Sequence, residues 1–469
     1  MADKSAIFLE GDLMRHTVVM AFAASIGLVS VFLVDFVDLY FISLLGEEAL
    51  AAAVGFAGTL LFFGVSITIG LMIAMSALAA QKLGSGDPVE ARRIATSVIA
   101  LGIMTSSVIA LIFWIAAPYL LGLLGAKGET LQHGVRFLRI VVPSMPVAAL
   151  GMMASGLLRA HGDARRAMMA TMSAGIVNAI LDPLLIFGFG LGLDGAAYAS
   201  VVARFAMAVT AAFPIIRHYG GFARLEPGSL LIDLKPIAAI AVPAILTNIA
   251  TPVGNSVVTR AVAGFGDSAV AGYAVIGRLA PLSFCVIFAL SGAVGPIIGQ
   301  NFGAKQYGRV KETITQAAKF VLGYVLVMWA LLALAQGFVS AQFGLSAEGA
   351  RLMFWFAMAA APLFFFNGIL FIANSSFNNL RRPIWSTWLN WLRNTLGVIP
   401  FIWLGAEIGG APGVIVGQAV GGIIFGIAGI WLAIRLADAY QSGRADPDKG
   451  SSLPFMRRRP TPPFSSPRG

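Results

Sequence analysis

Charge is what this chain has least of. Asp, Glu, Lys and Arg make up 12% of its 469 residues, against 58% hydrophobic ones, whereas a soluble domain is about 25% charged. That leaves too little polar surface to cover a water-soluble body of this length. A soluble enzyme is excluded, and a polytopic membrane protein is indicated. Cysteine is almost absent: Cys285 stands alone in an apolar run, so no internal disulfide or thiolate metal centre can form. The four histidines (His16, His133, His161 and His218) fall at span ends or in loops with no ligand spacing. Acids are outnumbered by bases, for a net charge of +10. A nucleic-acid partner could account for that excess, but the bases lie in short loops between apolar runs, which the positive-inside rule explains better. The start, MADKSAIFLEGDLMRH, has neither the short apolar core nor the small-residue cleavage site of a secretory signal, so the first span is expected to be retained.

What is present is a series of apolar runs. About 20 apolar residues cross a bilayer as a helix. Twelve candidates fall at 17–45, 50–81, 93–122, 133–158, 166–189, 194–216, 236–263, 268–300, 312–338, 348–377, 383–406 and 411–436. Alternate connections are basic: Lys82, Arg92 and Arg93; Arg159, Arg165 and Arg166; Arg217, Arg224 and Lys235; Lys305, Arg309 and Lys311; Arg381 and Arg382. The opposite loops are short and mostly neutral or acidic. This pattern predicts a plasma (inner) membrane protein with both termini cytoplasmic. The Pro-, Ser- and Arg-rich stretch 438–469 reads as a disordered cytoplasmic tail.

The chain also repeats. AAQKLGSGDPVEARRIA follows the second span and IGQNFGAKQYGRVKETI the eighth, so that Gln81 matches Gln300 and Gly84 matches Gly303. Asn178 and Asn394 are 216 residues apart, close to the 219 that separate the glutamines. The expected domains are a six-helix lobe over 1–216, a cytoplasmic linker over 217–235 and a second six-helix lobe over 236–437. An even number of spans per copy gives both copies one orientation, as in transporters built from parallel repeats. A cleft between two such lobes permits alternating access.

Polar groups inside the spans indicate the chemistry. An unpaired aspartate at a helix centre costs about 2.5–3.5 kcal/mol on insertion scales, so it persists where it faces a cavity, a partner or a proton. Asp38 and Asp182 each lie seven residues from the outer end of their spans, roughly 10 Å deep at about 1.5 Å per residue. Ser200 lies at a similar depth, ~9 Å. Asn178 and Asp182 are four apart and share a helical face. Pro183 has no N–H and frees the carbonyl of Ala179. Carboxylate, amide, hydroxyl and freed carbonyl form an all-oxygen set that suits a proton or a hard monovalent cation. The plainer alternative is that Asp182 only bonds to Asn178 and fixes packing. Asp35, one turn deeper than Asp38, is a candidate relay. The second half has no matching acid; Val398 stands opposite Asp182 in the repeat. It offers Asn367, Asn374, Asn394 and Arg278 as candidates for the substrate path. Trp385, Trp388 and Trp391 read as interfacial anchors.

These stretches resemble the multidrug and toxic compound extrusion (MATE) family along nearly all of 10–440. VDLYFISLLGEEALAA is similar to its first-span motif, GQNFGAKQYGRVKE to its hallmark after span 8, and NAILDPLLIFGFGLGLDGAAYAS to its span 5–6 motif. The resemblance implies an all-α fold of twelve transmembrane helices in two pseudo-symmetric bundles. It implies a secondary antiporter that expels amphipathic, often cationic, compounds in exchange for H⁺ or Na⁺; no other cofactor and no metal centre are expected, and a monomer is expected. In the DinF-like branch, which the missing second-lobe acids favour, the coupling site carries over to Asp38, Asn178, Asp182 and Ser200, with serine where the family has threonine. The rival readings are a lipid-precursor flippase of similar architecture, which would need a large basic chamber, and an intramembrane enzyme, for which no nucleophile–base pair lies at depth.

Overall fold

The computed structural model describes residues 6–45 and 47–446; within that range the side chains of Asp35, Leu39, Ser43 and Glu48 also fall outside the description. Among the described residues the regular structure is helical throughout. Lipid leaves a spanning backbone no solvent partner for its N–H and C=O groups, and the helix satisfies them within one segment. The helices are α1 (Leu13–Ser43), α2 (Glu48–Gly84), α3 (Pro88–Leu123), α4 (Gly128–Ala160), α5 (Ala164–Gly188), α6 (Gly192–His218), α7 (Pro227–Ala263), α8 (267–303), α9 (Tyr307–Gln342), α10 (Ala347–Asn379), α11 (384–409) and α12 (411–441). α8 is two pieces, Asp267–Ser283 and Cys285–Gly303, broken at Phe284. The last two spans run on without a loop and part at Gly410, whose φ of +64° turns the chain. Side chains on the outside are large and apolar: Leu334 is 85% exposed and Ile408 78%, the exterior a bilayer requires.

Starts and stops follow local chemistry. Asp12, Asp87 and Asp163 cap α1, α3 and α5 by accepting from the N–H groups of Met14, Glu90 and Arg166. The two halves end corresponding helices with one turn but different residues. Gly86 and Gly162 adopt φ of +79° after α2 and α4; Lys305 and Arg381, each 219 positions later, adopt φ of +58° after α8 and α10.

Two boundaries differ from the sequence expectation. The linker is shorter than 217–235, because α7 already begins at Pro227. Its first turns are held by Asp233, which is buried and accepts from both Arg93 Nη atoms (2.8 and 3.0 Å) and from Ser97 Oγ (2.7 Å). A paired acid thus extends a helix that hydropathy would start later. α12 runs to Gln441, past the expected tail boundary at 438, since Asp438 pairs with Lys311 at 2.9 Å. The tail from 447 onward lies outside the described residues.

The halves meet at the end that carries the basic loops. α2 crosses α8 there at backbone contact: a Cβ on Gly84 would overlap the Gln300 carbonyl, and one on Gly303 the Gln81 carbonyl. The glutamines then act reciprocally. Gln81 Nε2 donates to the Asn379 carbonyl at the end of α10 (3.0 Å), and Gln300 Nε2 to the Ala160 carbonyl at the end of α4 (2.7 Å). Each half thereby satisfies a helix-terminal acceptor of the other. The turn Ile7–Leu9 seals the crossing: Phe8 N donates to Gln300 Oε1 (2.9 Å), while Asn301 Nδ2 and Arg309 Nη2 donate to the Phe8 carbonyl (3.1 Å each).

Candidate functional site

The site grows out of how α1 lies along α5. Three contacts set the register. Gly27 meets Thr171, where a Cβ would come 3.3 Å from Thr171 Cβ, and Gly175 meets Ser30 and Val34. Farther from the basic end, Asp38 reaches Asn178. Two small residues let the helices approach, and the third contact is polar. Asn178 Nδ2 donates one hydrogen to Asp38 Oδ1 at 2.7 Å and the other to Asp182 Oδ2 at 3.0 Å. One amide nitrogen thus holds a carboxyl oxygen of each acid and brings the two carboxyl groups together. Asp182 is fully buried and Asn178 nearly so, while Asp38 is half-buried. Asp182 Oδ1 has no hydrogen-bond partner among the described residues. Directly after Pro183 the helix widens into a π-turn over Leu184–Gly188, the kind of irregularity that often marks a functional position.

Chemically this is an acceptor site. The amide uses both hydrogens on the carboxyl groups, so the remaining free atoms are oxygens. No lysine, arginine or histidine forms an ion pair with either acid among the described residues. Two carboxylates so close cannot both carry unbalanced charge away from water. The site therefore calls for a positive counter-charge.

The other sequence candidates are placed as follows. Ser200 is half-buried on α6 and makes no hydrogen bond to Asp38, Asn178 or Asp182; the structure does not bring it into the trio. Asp35 lies on α1, but its side chain falls outside the described residues. Asn374 and Asn394 are each 5% exposed and bonded inside the second half: Asn374 Oδ1 accepts from Asn390 Nδ2 at 2.9 Å, and Asn394 Nδ2 donates to the Asn390 carbonyl at 2.9 Å. Asn374 ties α10 to α11, while Asn394 bonds back within α11 and packs against Gly254 of α7. Asn367 is half-buried with its Oδ1 unpartnered, and Arg278 is exposed on α8. Arg204 is satisfied at 3.0 Å by the Val141 carbonyl and at 2.9 Å by Ser144 Oγ, beside the tight turn Val142–Ser144 that Pro143 opens in α4. Missed from sequence was the docking of Phe8, which nothing in the sequence marked. Arg393, a base deep in span 11 that the sequence does show, has its Nε buried without a partner.

The family profile described as MatE matches this chain twice, over residues 23–184 and again over 243–404. The chain belongs to the MatE family. Its relatives include an FAD transporter of Shewanella oneidensis, 29% identical over 456 residues, covering 95% of this chain and 100% of that protein. The multidrug export protein MepA of Staphylococcus saprophyticus is 25% identical over 335 residues, 70% of this chain and 71% of that one. Among solved structures, the Vibrio cholerae MATE transporter VcmN in the bent form superposes with a TM-score of 0.86 at 26% identity, over 92% of this chain and 97% of that one. A Pyrococcus furiosus transporter of the MOP superfamily shares the fold, with a TM-score of 0.86 at 20% identity. The fold is therefore the all-α MATE architecture, and the two profile matches fall one in each half of the chain. The trio sits in the first MatE copy; the corresponding stretch of the second, VIPFI at 398–402, holds no acid.

Proposed function

We propose that this MatE protein is a secondary antiporter that expels amphipathic organic compounds in exchange for H⁺ or Na⁺, with the basic loops and both termini in the cytoplasm. The observation that carries the reading is the Asp38–Asn178–Asp182 trio, two acids on different helices bridged by one amide, with no basic partner. A coupling ion joins α1 to α5 there, and its departure leaves two like charges that push the helices apart. Ion occupancy thus biases the shape of the first half, which is the differential affinity that a driven cycle requires. Closure of the basic end by the α2–α8 crossing makes the trio's side the side from which the ion is exchanged in this state. Kinship with an FAD transporter and with a multidrug export protein supports a bulky organic cargo; cations are the class that the family resemblance implies.

The test is ethidium efflux from proteoliposomes under an imposed pH or Na⁺ gradient. Asp38→Asn and Asp182→Asn are each expected to abolish the gradient-dependent part while leaving a correctly assembled protein. Full gradient-driven transport by both variants would refute the coupling site.

A further inference from the structure

Within the second half, the intramembrane charge is of the opposite sign. Between 236 and 441 the acids are Asp267, Glu312, Glu348, Glu407 and Asp438, and each lies near a helix end or, for Glu407, by the bend at Gly410. At depth there are guanidinium groups instead. Arg278 is eleven residues into α8 and Arg393 nine into α11, each roughly 14–17 Å from its end of the span, close to the bilayer middle. Arg278 shares its exposed stripe with Ala271, Ala274 and Gly277.

Arg393 is the sharper case. It begins a π-turn, Arg393–Gly397, and forms no hydrogen bond or ion pair among the described residues, with its Nε buried. Asn367 Oδ1 on α10 is likewise buried and unpartnered. Both converge on Gly422 of α12: a Cβ there would stand 3.5 Å from Arg393 Nε and 3.7 Å from Asn367 Oδ1. A buried cationic donor and a buried acceptor therefore both lie within contact distance of the position a Gly422 methyl would take, without bonding to each other. An uncompensated guanidinium at this depth is expensive. An anion that also carries an N–H or O–H group would satisfy both atoms at once.

We infer that Arg393, Asn367 and Gly422 form an anion-accepting subsite in the second half, and that the exported compound carries a phosphate or carboxylate group. This deepens the efflux reading and rests on it; it reverses the sign of cargo that the family resemblance implies. The acids of the first half and the bases of the second then have separate tasks, the first holding the coupling ion and the second holding the cargo.

The experiment compares FMN with riboflavin, which share a ring system and differ by one phosphate, using the full-length protein in nanodiscs of neutral phosphatidylcholine and in nanodiscs containing phosphatidylglycerol. The expected result is FMN binding that Arg393→Gln weakens about tenfold, the loss of one charge-assisted bond, with riboflavin affected less than twofold. Gly422→Ala adds one methyl at ordinary contact distance and should weaken FMN similarly without unfolding the protein. Equal FMN binding by wild type, Arg393→Gln and Gly422→Ala overturns the inference. So does an Arg393 effect that appears only as competition by phosphatidylglycerol, which would make the group a lipid-headgroup site. Ethidium efflux that stays sensitive to Asp182→Asn, with no FMN effect, leaves the antiport reading standing while the inference fails.

Discussion

At the scale of single residues, the contrast between Asn178 and Ser200 is the most informative. The family motif names both, yet one amide holds the two acids and the hydroxyl hydrogen-bonds to neither. Asn178→Ala removes both bridging N–H groups and leaves the buried Asp182 oxygen without a donor, a loss of about 1–3 kcal/mol, and the half-buried Asp38 oxygen without its bridge. It should reduce gradient-driven ethidium efflux at least tenfold. Ser200→Ala should change that efflux less than twofold. A tenfold loss from Ser200→Ala would mean that the hydroxyl joins the site in another state of the cycle. Asn178 was legible because two polar residues four apart share a face whatever surrounds them. That Ser200 makes no hydrogen bond to the trio was not, because depth along a helix says nothing about rotation around its axis.

Individual elements owe their ends to chemistry that the sequence only half shows. The left-handed turns after α8 and α10 put Lys305 and Arg381 where the first half has glycine. A side chain there costs about 1–2 kcal/mol per residue relative to glycine. Lys305→Gly should therefore raise the thermal unfolding temperature of the purified protein, and a fall would show that the lysine makes a compensating contact. The start of α7 rests on the buried Asp233 with Arg93 and Ser97. Asp233→Ala strands the serine and removes the tie between α3 and α7, so unfolding should begin at a lower temperature than in the wild type. Hydropathy could not see this first part of α7, because the residue that organises it is an acid.

For the whole molecule, the deciding feature is the α2–α8 crossing. Gly84 and Gly303 admit backbone contact, and Gln81 and Gln300 then reach the helix ends of the opposite half. Leucine at Gly84 together with leucine at Gly303 cannot fit that crossing. In a Cys285→Ser background, spin labels at Asp87 and Gln306 should then stand farther apart than in the protein with both glycines, as read by pulsed electron resonance. Unchanged distances would show that the basic end does not need the close approach. The same four residues were visible in the sequence as a repeat, but their use as a reciprocal latch was not. A repeat gives two positions one local setting; it does not say that each will face the other's half.

The sequence by itself determined the class of the molecule. Its shortage of charge, its apolar runs and the alternation of basic loops depend on the solvent that each segment meets, and a bilayer imposes that segment by segment. It also determined which residues could carry chemistry, because polar groups at depth are too costly to be incidental. Only the tertiary structure decided which of them meet. Asp38 and Asp182 are 144 positions apart and come together because two small residues set the register of α1 on α5; Arg393 Nε and Asn367 Oδ1 are left without partners beside Gly422. Those outcomes depend on rotation and distance between helices, quantities fixed by packing across the whole bundle and carried by no single stretch of the chain.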